Sequence, residues 1–226
     1  MEKKNKLLIV TSCLALLAAG GVAVGVTSAL FTQKGTAQVH INSGDLKVGF
    51  YLSSLIFDQL DPKTGEIQTE QVVDLKTTTP YSSCWDETNG GVDLAKFAGN
   101  VVEVEKFYPT MKGSAIFKVV NGSDIAVNTK IEKTQTGKFA PVAPDTEGVA
   151  MTDEEVKQLD TKFTWLDSSS QPIEEDTVKI TKGQSANALL TFEFLSKDTD
   201  GSNDNKYQGC SFTIDTLLTA TQVVRS

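Results

Sequence analysis

The chain is predicted to be mostly β, an antiparallel β-sandwich with short helical insertions, and two observations carry that expectation. Apolar and polar residues alternate through most of its recognisable segments, which is the period of a strand with one buried face. Those segments recur at short intervals between polar, turn-forming stretches, a spacing that suits a sandwich.

The first 29 residues stand outside that pattern and are read as a removable export signal. Lys3, Lys4 and Lys6 form a basic start, residues 7–26 are apolar and uncharged, and Thr27-Ser28-Ala29 places small side chains before a cut between Ala29 and Leu30. The apolar stretch approaches the roughly 20 residues that cross a bilayer, so retention as an anchor is the alternative. Gly20, Gly21 and Gly25 loosen a helix where a peptidase needs extended chain, which favours cleavage. Val10-Thr11-Ser12-Cys13 is similar to a lipoprotein box, but it lies too close to Lys6 and the apolar run continues past it.

Without the signal, 197 residues remain, divided into a leading segment at 30–38 and one sandwich domain at 39–226. The whole chain carries a formal charge of −8, and removal of the signal leaves a still more acidic protein. Such a surface repels phosphate, so nucleic acid is not an expected partner. A membrane is expected to be met only through the signal segment.

Strands are expected at 39–41, 46–52, 115–120, 125–131, 163–166, 177–180, 188–195 and 212–220. Asn121-Gly122, between the third and fourth of these, is a strong short hairpin signal and predicts that the two pair directly. Helix is scarce: residues 152–159 begin with Thr152 and Glu155 at capping-box spacing, and 92–97 suit a turn or two. Polar stretches at 61–70, 77–91 and 139–148 read as surface loops.

Catalytic signals are weak. The single histidine, His40, sits in an alternating strand pattern, and no H-E-x-x-H, G-x-S-x-G or Walker-type loop is present. The expectation is a protein that is not an enzyme and uses no metal or cofactor. Residues 198–205 place oxygen side chains at alternate positions as calcium loops do, but Asn203 and Gly209 stand where an EF-hand needs Gly and Glu. A solvated turn is the preferred reading. Cys13 leaves with the signal, so Cys84 and Cys210 either form a disulfide, as an exported pair can, or stay two separate thiols.

Several short motifs agree in order and position with one family. They are Gly20-Gly21 with Thr27-Ser28-Ala29-Leu30-Phe31-Thr32, Asn42-Ser43-Gly44-Asp45-Leu46-Lys47-Val48, Phe107-Tyr108-Pro109, and Asn121-Gly122-Ser123. The most specific closes the chain: Asn205-Lys206-Tyr207-Gln208-Gly209, a strand, then Ala220-Thr221-Gln222. On these residues the chain resembles the TasA and camelysin family of Gram-positive surface and biofilm-matrix proteins. It departs from the family pattern at Asp45 and Lys47 and after Pro109, and 52–106 and 139–184 match nothing in it.

The resemblance implies a secreted, jelly-roll-like subunit, cut after Ala29 by a SipW-type signal peptidase. It implies a homopolymeric fibre at the cell surface or in the matrix, together with other matrix components, in which Leu30, Phe31 and Thr32 begin a strand donated to the next subunit. A disordered or locally docked tail is the alternative for that segment. A monomeric adhesin or binding module, and the metalloprotease label that camelysin-type members carry, are the alternatives for function. The protease reading lacks zinc-ligand spacing here.

Overall fold

The computed structural model describes residues 46–61, 63–98, 101–141, 147–195 and 204–223. The signal, the cut, the segment at 30–38, His40 and most of the calcium-like stretch lie outside the described residues.

In chain order the strands are β1 (Val48–Leu60), β2 (Ile67–Val72), β3 (Trp85–Asp86), β4 (Gly91–Asp93), β5 (Val102–Phe107), β6 (Lys112–Asn121) and β7 (Val127–Lys138). After helix α1 (Asp153–Val156) come β8 (Leu159–Leu166), β9 (Pro172–Ile173), β10 (Thr177–Ile180), β11 (Ser185–Phe194) and β12 (Cys210–Gln222). The larger sheet runs β3-β4-β1-β6-β11-β8-β9, with β2 also on β1, and the smaller runs β10-β7-β12-β5. Every pairing is antiparallel. The expected antiparallel β-sandwich is the observed architecture.

Alternation explains which face each strand buries. Ala115, Phe117 and Val119 of β6, Ala188, Leu190, Phe192 and Phe194 of β11, and Phe212, Ile214 and Leu218 of β12 are all buried in one core. At one end Phe107 lies about 6 Å from the rings of Phe192, Phe194 and Phe212, so three strands from both sheets meet on one side chain. Gly113 is required here: a Cβ would stand 2.5 Å from the Phe192 ring and 2.6 Å from the Ile56 carbonyl.

β1 runs further than the expected 46–52 because its alternation changes phase. The pairing with β6 shifts between Leu52 and Ser54, so Phe50 and Leu52 point inward before the shift and Leu55 after it. The stretch 61–70, expected as loop, holds most of β2. Buried Asp58 fixes its course, accepting from the Glu70 N–H at 2.9 Å and the Lys112 N–H at 3.1 Å. Residues 77–91 likewise contain a 3-10 turn, β3 and the start of β4, while 92–97 form the end of β4 and a turn. The capping box of α1 is present: the Thr152 hydroxyl accepts from the Glu155 N–H and the Glu155 carboxylate from the Thr152 N–H.

The expected hairpin at Asn121-Gly122 is not formed, since β6 and β7 belong to different sheets. Asn121 instead builds a corner. Its side-chain amide donates to the carbonyls of Ile125 at 2.8 Å and Ile180 at 2.9 Å, and its oxygen accepts from the Ser123 N–H at 2.9 Å. Gly122 N–H donates to the Lys47 carbonyl, tying the corner to the start of β1. A fully buried Asn with these partners holds the chain as it crosses between sheets, where a two-residue turn would have folded it back.

Candidate functional site

Among the described residues no strand of one sheet pairs with a strand of the other, and on one side of the sandwich β7 and β8 lie across from each other, joined by side chains. On the side away from β12, β7 pairs with β10 only over Val127–Lys130. At its other end the Met151 N–H donates to the Gly137 carbonyl and the Phe139 N–H to the Val149 carbonyl. Among the described residues no strand pairs with 131–136 on that side. β8 pairs with β11 along its whole length, yet β9 covers its other side only at Trp165 and Leu166. Residues 159–164 therefore present a second open edge across from the first.

A groove of about 840 Å³ lies along these edges. Strand alternation decides its floor. Opposite inward-facing Leu218, Thr216 and Ile214 of β12 stand Ile131, Lys133 and Gln135 of β7. From β8, Thr161 and Phe163 share the face of buried Leu159 and Trp165. One end of the floor, at Ile131 and Phe163, is therefore apolar.

The other end is bridged by polar side chains. The Thr161 hydroxyl donates to the Gln135 carboxamide oxygen at 2.6 Å, and the Gln135 amide donates to the carbonyls of Leu159 at 3.0 Å and Val156 at 3.2 Å. The Lys133 ammonium lies between the ends and donates to the carbonyl and hydroxyl oxygens of Thr161. Burial pulls its pKa below the usual lysine range, and the carboxylate of Asp160 offsets part of that. Beside it the Thr216 hydroxyl is buried with no hydrogen-bond partner among the described residues.

Asp215, which also lines the groove, stands opposite Thr134 of β7. Burial and then the neighbouring carboxylate of Glu103 push its pKa up.

Sequence reasoning missed this site, although a signal for it existed. Positions 132–136, Glu-Lys-Thr-Gln-Thr, are polar on both faces of a strand that must bury one, so the inward face lacks its apolar half.

Of the residues singled out from the sequence, Ala29, Leu30, Phe31 and Thr32 lie outside the described residues. Cys84 and Cys210 are not joined. Cys84 ends the 3-10 turn before β3 and donates its thiol to the Lys96 carbonyl at 3.3 Å. Cys210 opens β12 in the other sheet, fully buried, with its thiol on the Phe107 carbonyl at 3.2 Å. Burial pushes that thiol up to about 12, so it stays protonated. Each sulfur is taken by a different backbone carbonyl, and the reading as two separate thiols is the one realised.

Among the described residues no three His, Cys, Asp or Glu side chains gather as a metal site would need, and no helix is long and apolar enough to cross a membrane. Compared with known protein families and with curated proteins, the chain gives no match to either.

What the groove can do chemically follows from its edges. Backbone groups that stay unpaired on these strands can hydrogen-bond an extended chain, while the Leu159 and Thr161 carbonyls of β8 are already taken by the side chains of Gln135 and Lys133.

Proposed function

We propose that this protein is a secreted structural subunit that assembles into a fibre at the cell surface or in the extracellular matrix of a Gram-positive bacterium. The freed N-terminal segment of one copy adds as a strand to the next. The observation that carries the reading is the pair of open edges at 131–136 and 159–164 flanking one groove. An edge left open over that length is a liability in a solitary protein, and strand addition removes it. The motifs shared with the TasA and camelysin family support the same reading, as does the repeated crossing of the chain between sheets from β4 to β8, a feature that a jelly roll requires.

Cleavage after Ala29 acts as the switch, because before it the donor residues are tethered to an apolar segment held in the export machinery. A SipW-type signal peptidase is the proposed partner for that step, and other matrix components share the fibre. Protein starting at Leu30 is expected to form filaments visible by negative-stain microscopy. Protein lacking residues 30–38 is expected to stay monomeric, and equal filament yield from both would sink the proposal.

A further inference from the structure

We infer that Thr161 and Gln135 form a site of self-catalysed cross-linking, in which the Thr161 hydroxyl displaces ammonia from the Gln135 carboxamide and leaves an ester bond between β8 and β7. The inference is independent of the fibre reading and concerns how the two sheets are held together.

Three reactive side chains meet where no backbone pairing joins the sheets. Gln135 of β7 is half-buried, Thr161 of β8 is buried, and the Thr161 hydroxyl donates to Gln135 Oε1 at 2.6 Å. One C=O bond of about 1.2 Å separates that oxygen from Cδ, so Thr161 Oγ1 stands no more than about 3.8 Å from the carbon it attacks. A near-attack arrangement has its reacting atoms about 3–3.5 Å apart, and the elements here are held close to that. The carboxamide nitrogen donates to the Leu159 carbonyl at 3.0 Å and the Val156 carbonyl at 3.2 Å, which fixes the electrophile. Pairing of Thr161 with Phe192 of β11 fixes the strand that carries the nucleophile.

Lys133 is the third member. It lies two residues before Gln135 on β7, and its Nζ bonds to both Oγ1 and the carbonyl oxygen of Thr161. Burial favours its neutral amine, with the Asp160 carboxylate acting against that. A neutral amine seated on a hydroxyl is a general base.

The step balances within these side chains. Lys133 Nζ takes the hydroxyl proton as Thr161 Oγ1 bonds to Gln135 Cδ, and the oxyanion on Oε1 forms beside the new ammonium. The Cδ–Nε2 bond then breaks, the nitrogen leaves as ammonia with the proton from Lys133, and Lys133 returns to its amine. No other reactant enters. Lys133 and Thr161 line the groove, which gives the ammonia a way out, and its dilution in solvent draws the reaction forward.

Other side-chain pairs lack one part of this set. Buried Asn121 has a carboxamide, but its partners are the backbone groups of Ile125, Ile180 and Ser123, with no hydroxyl to attack it. Thr77 and Thr152 place hydroxyls on the carboxylates of Asp74 and Glu155, which are exposed and poor electrophiles. The ester supplies the covalent tie that Cys84 and Cys210, being separate, do not.

The test is mass spectrometry of the denatured chain starting at Leu30, which keeps the described core at residues 46–218 whole. The expected mass is one ammonia below that of the sequence, with tryptic peptides 134–138 and 158–162 joined and then parted by hydroxylamine, which cleaves esters and spares amides. Thr161→Ser is expected to keep the loss, and Thr161→Val and Lys133→Arg to abolish it. The full sequence mass in folded, unsubstituted protein would overturn the inference, whatever the variants do. So would an ammonia loss that persists in Thr161→Val or Lys133→Arg. A cross-link that resists hydroxylamine and blocks trypsin after Lys133 would overturn it in favour of an amide between Lys133 and Gln135.

Discussion

Asp215 shows how single side chains on the acidic surface set pH behaviour. Its folded pKa is raised, by burial first and by the Glu103 carboxylate second. The folded state therefore holds its proton more tightly than the unfolded chain does, and the ionised carboxylate costs stability above the raised pKa. That cost is relieved as pH falls towards the ordinary aspartate range. Asp215→Asn is expected to raise the melting temperature of monomeric protein near neutral pH, with the advantage shrinking as pH falls through the raised folded pKa and gone below about 4, the unfolded aspartate range. Thermal melts of both proteins across that range check it, and a pH-independent difference would contradict it. Lys133 has the same logic with opposite charge: burial lowers its pKa, and the Asp160 carboxylate offsets part of that cost.

At the scale of elements, α1 is capped at Thr152 and tied to β7 through Gln135. Val156 of this helix is buried and its carbonyl accepts from Gln135. Losing the Thr152 cap removes a hydrogen bond to the first turn, for which about 1 kcal/mol is the usual cost. Thr152→Ala is expected to lower unfolding free energy by about that amount in a denaturant titration with unchanged slope. A change below about 0.3 kcal/mol would mean the turn is held by Val156 and Gln135 rather than by its cap.

The same elements show what a sequence exposes and what it hides. β6, β11 and β12 were legible because each keeps one inward phase over its buried run, and α1 because Thr152 and Glu155 stand at capping distance. β1 was legible only to Leu52, since the bulge before Ser54 inverts its phase and breaks the pattern a reader follows. Asn121-Gly122 carried the right residues for a hairpin, but Asn121's bonds to nearby Ile125 and to Ile180, in a strand nearly sixty residues away, turn the corner instead. β5 alternates at Val102-Glu103-Val104-Glu105, and its shortness hid it among polar neighbours. The groove was hidden for another reason. Lys133 and Gln135 look like solvent-facing residues, and only the positions of β8 and α1 show that they point between the sheets.

For the whole molecule, the proposed function treats the sandwich as an assembly unit that takes a strand from outside at the edges of β7 and β8. The core end built on Phe107, Phe192, Phe194 and Phe212 is packed within a single copy. The polar floor beside Lys133 has a different status, because the Thr216 hydroxyl there is buried with no hydrogen-bond partner among the described residues. Under the proposed function, stability and assembly fall to different parts of one fold, with export and cleavage setting when the second begins.

Amide hydrogen exchange, compared between monomer lacking residues 30–38 and filaments of the chain starting at Leu30, tests this most directly. The account predicts slowed exchange on assembly concentrated at 131–136 and 159–164, with the strands of the Phe107 core end already protected in both states. Filaments in which those two edges exchange as fast as in the monomer would contradict it.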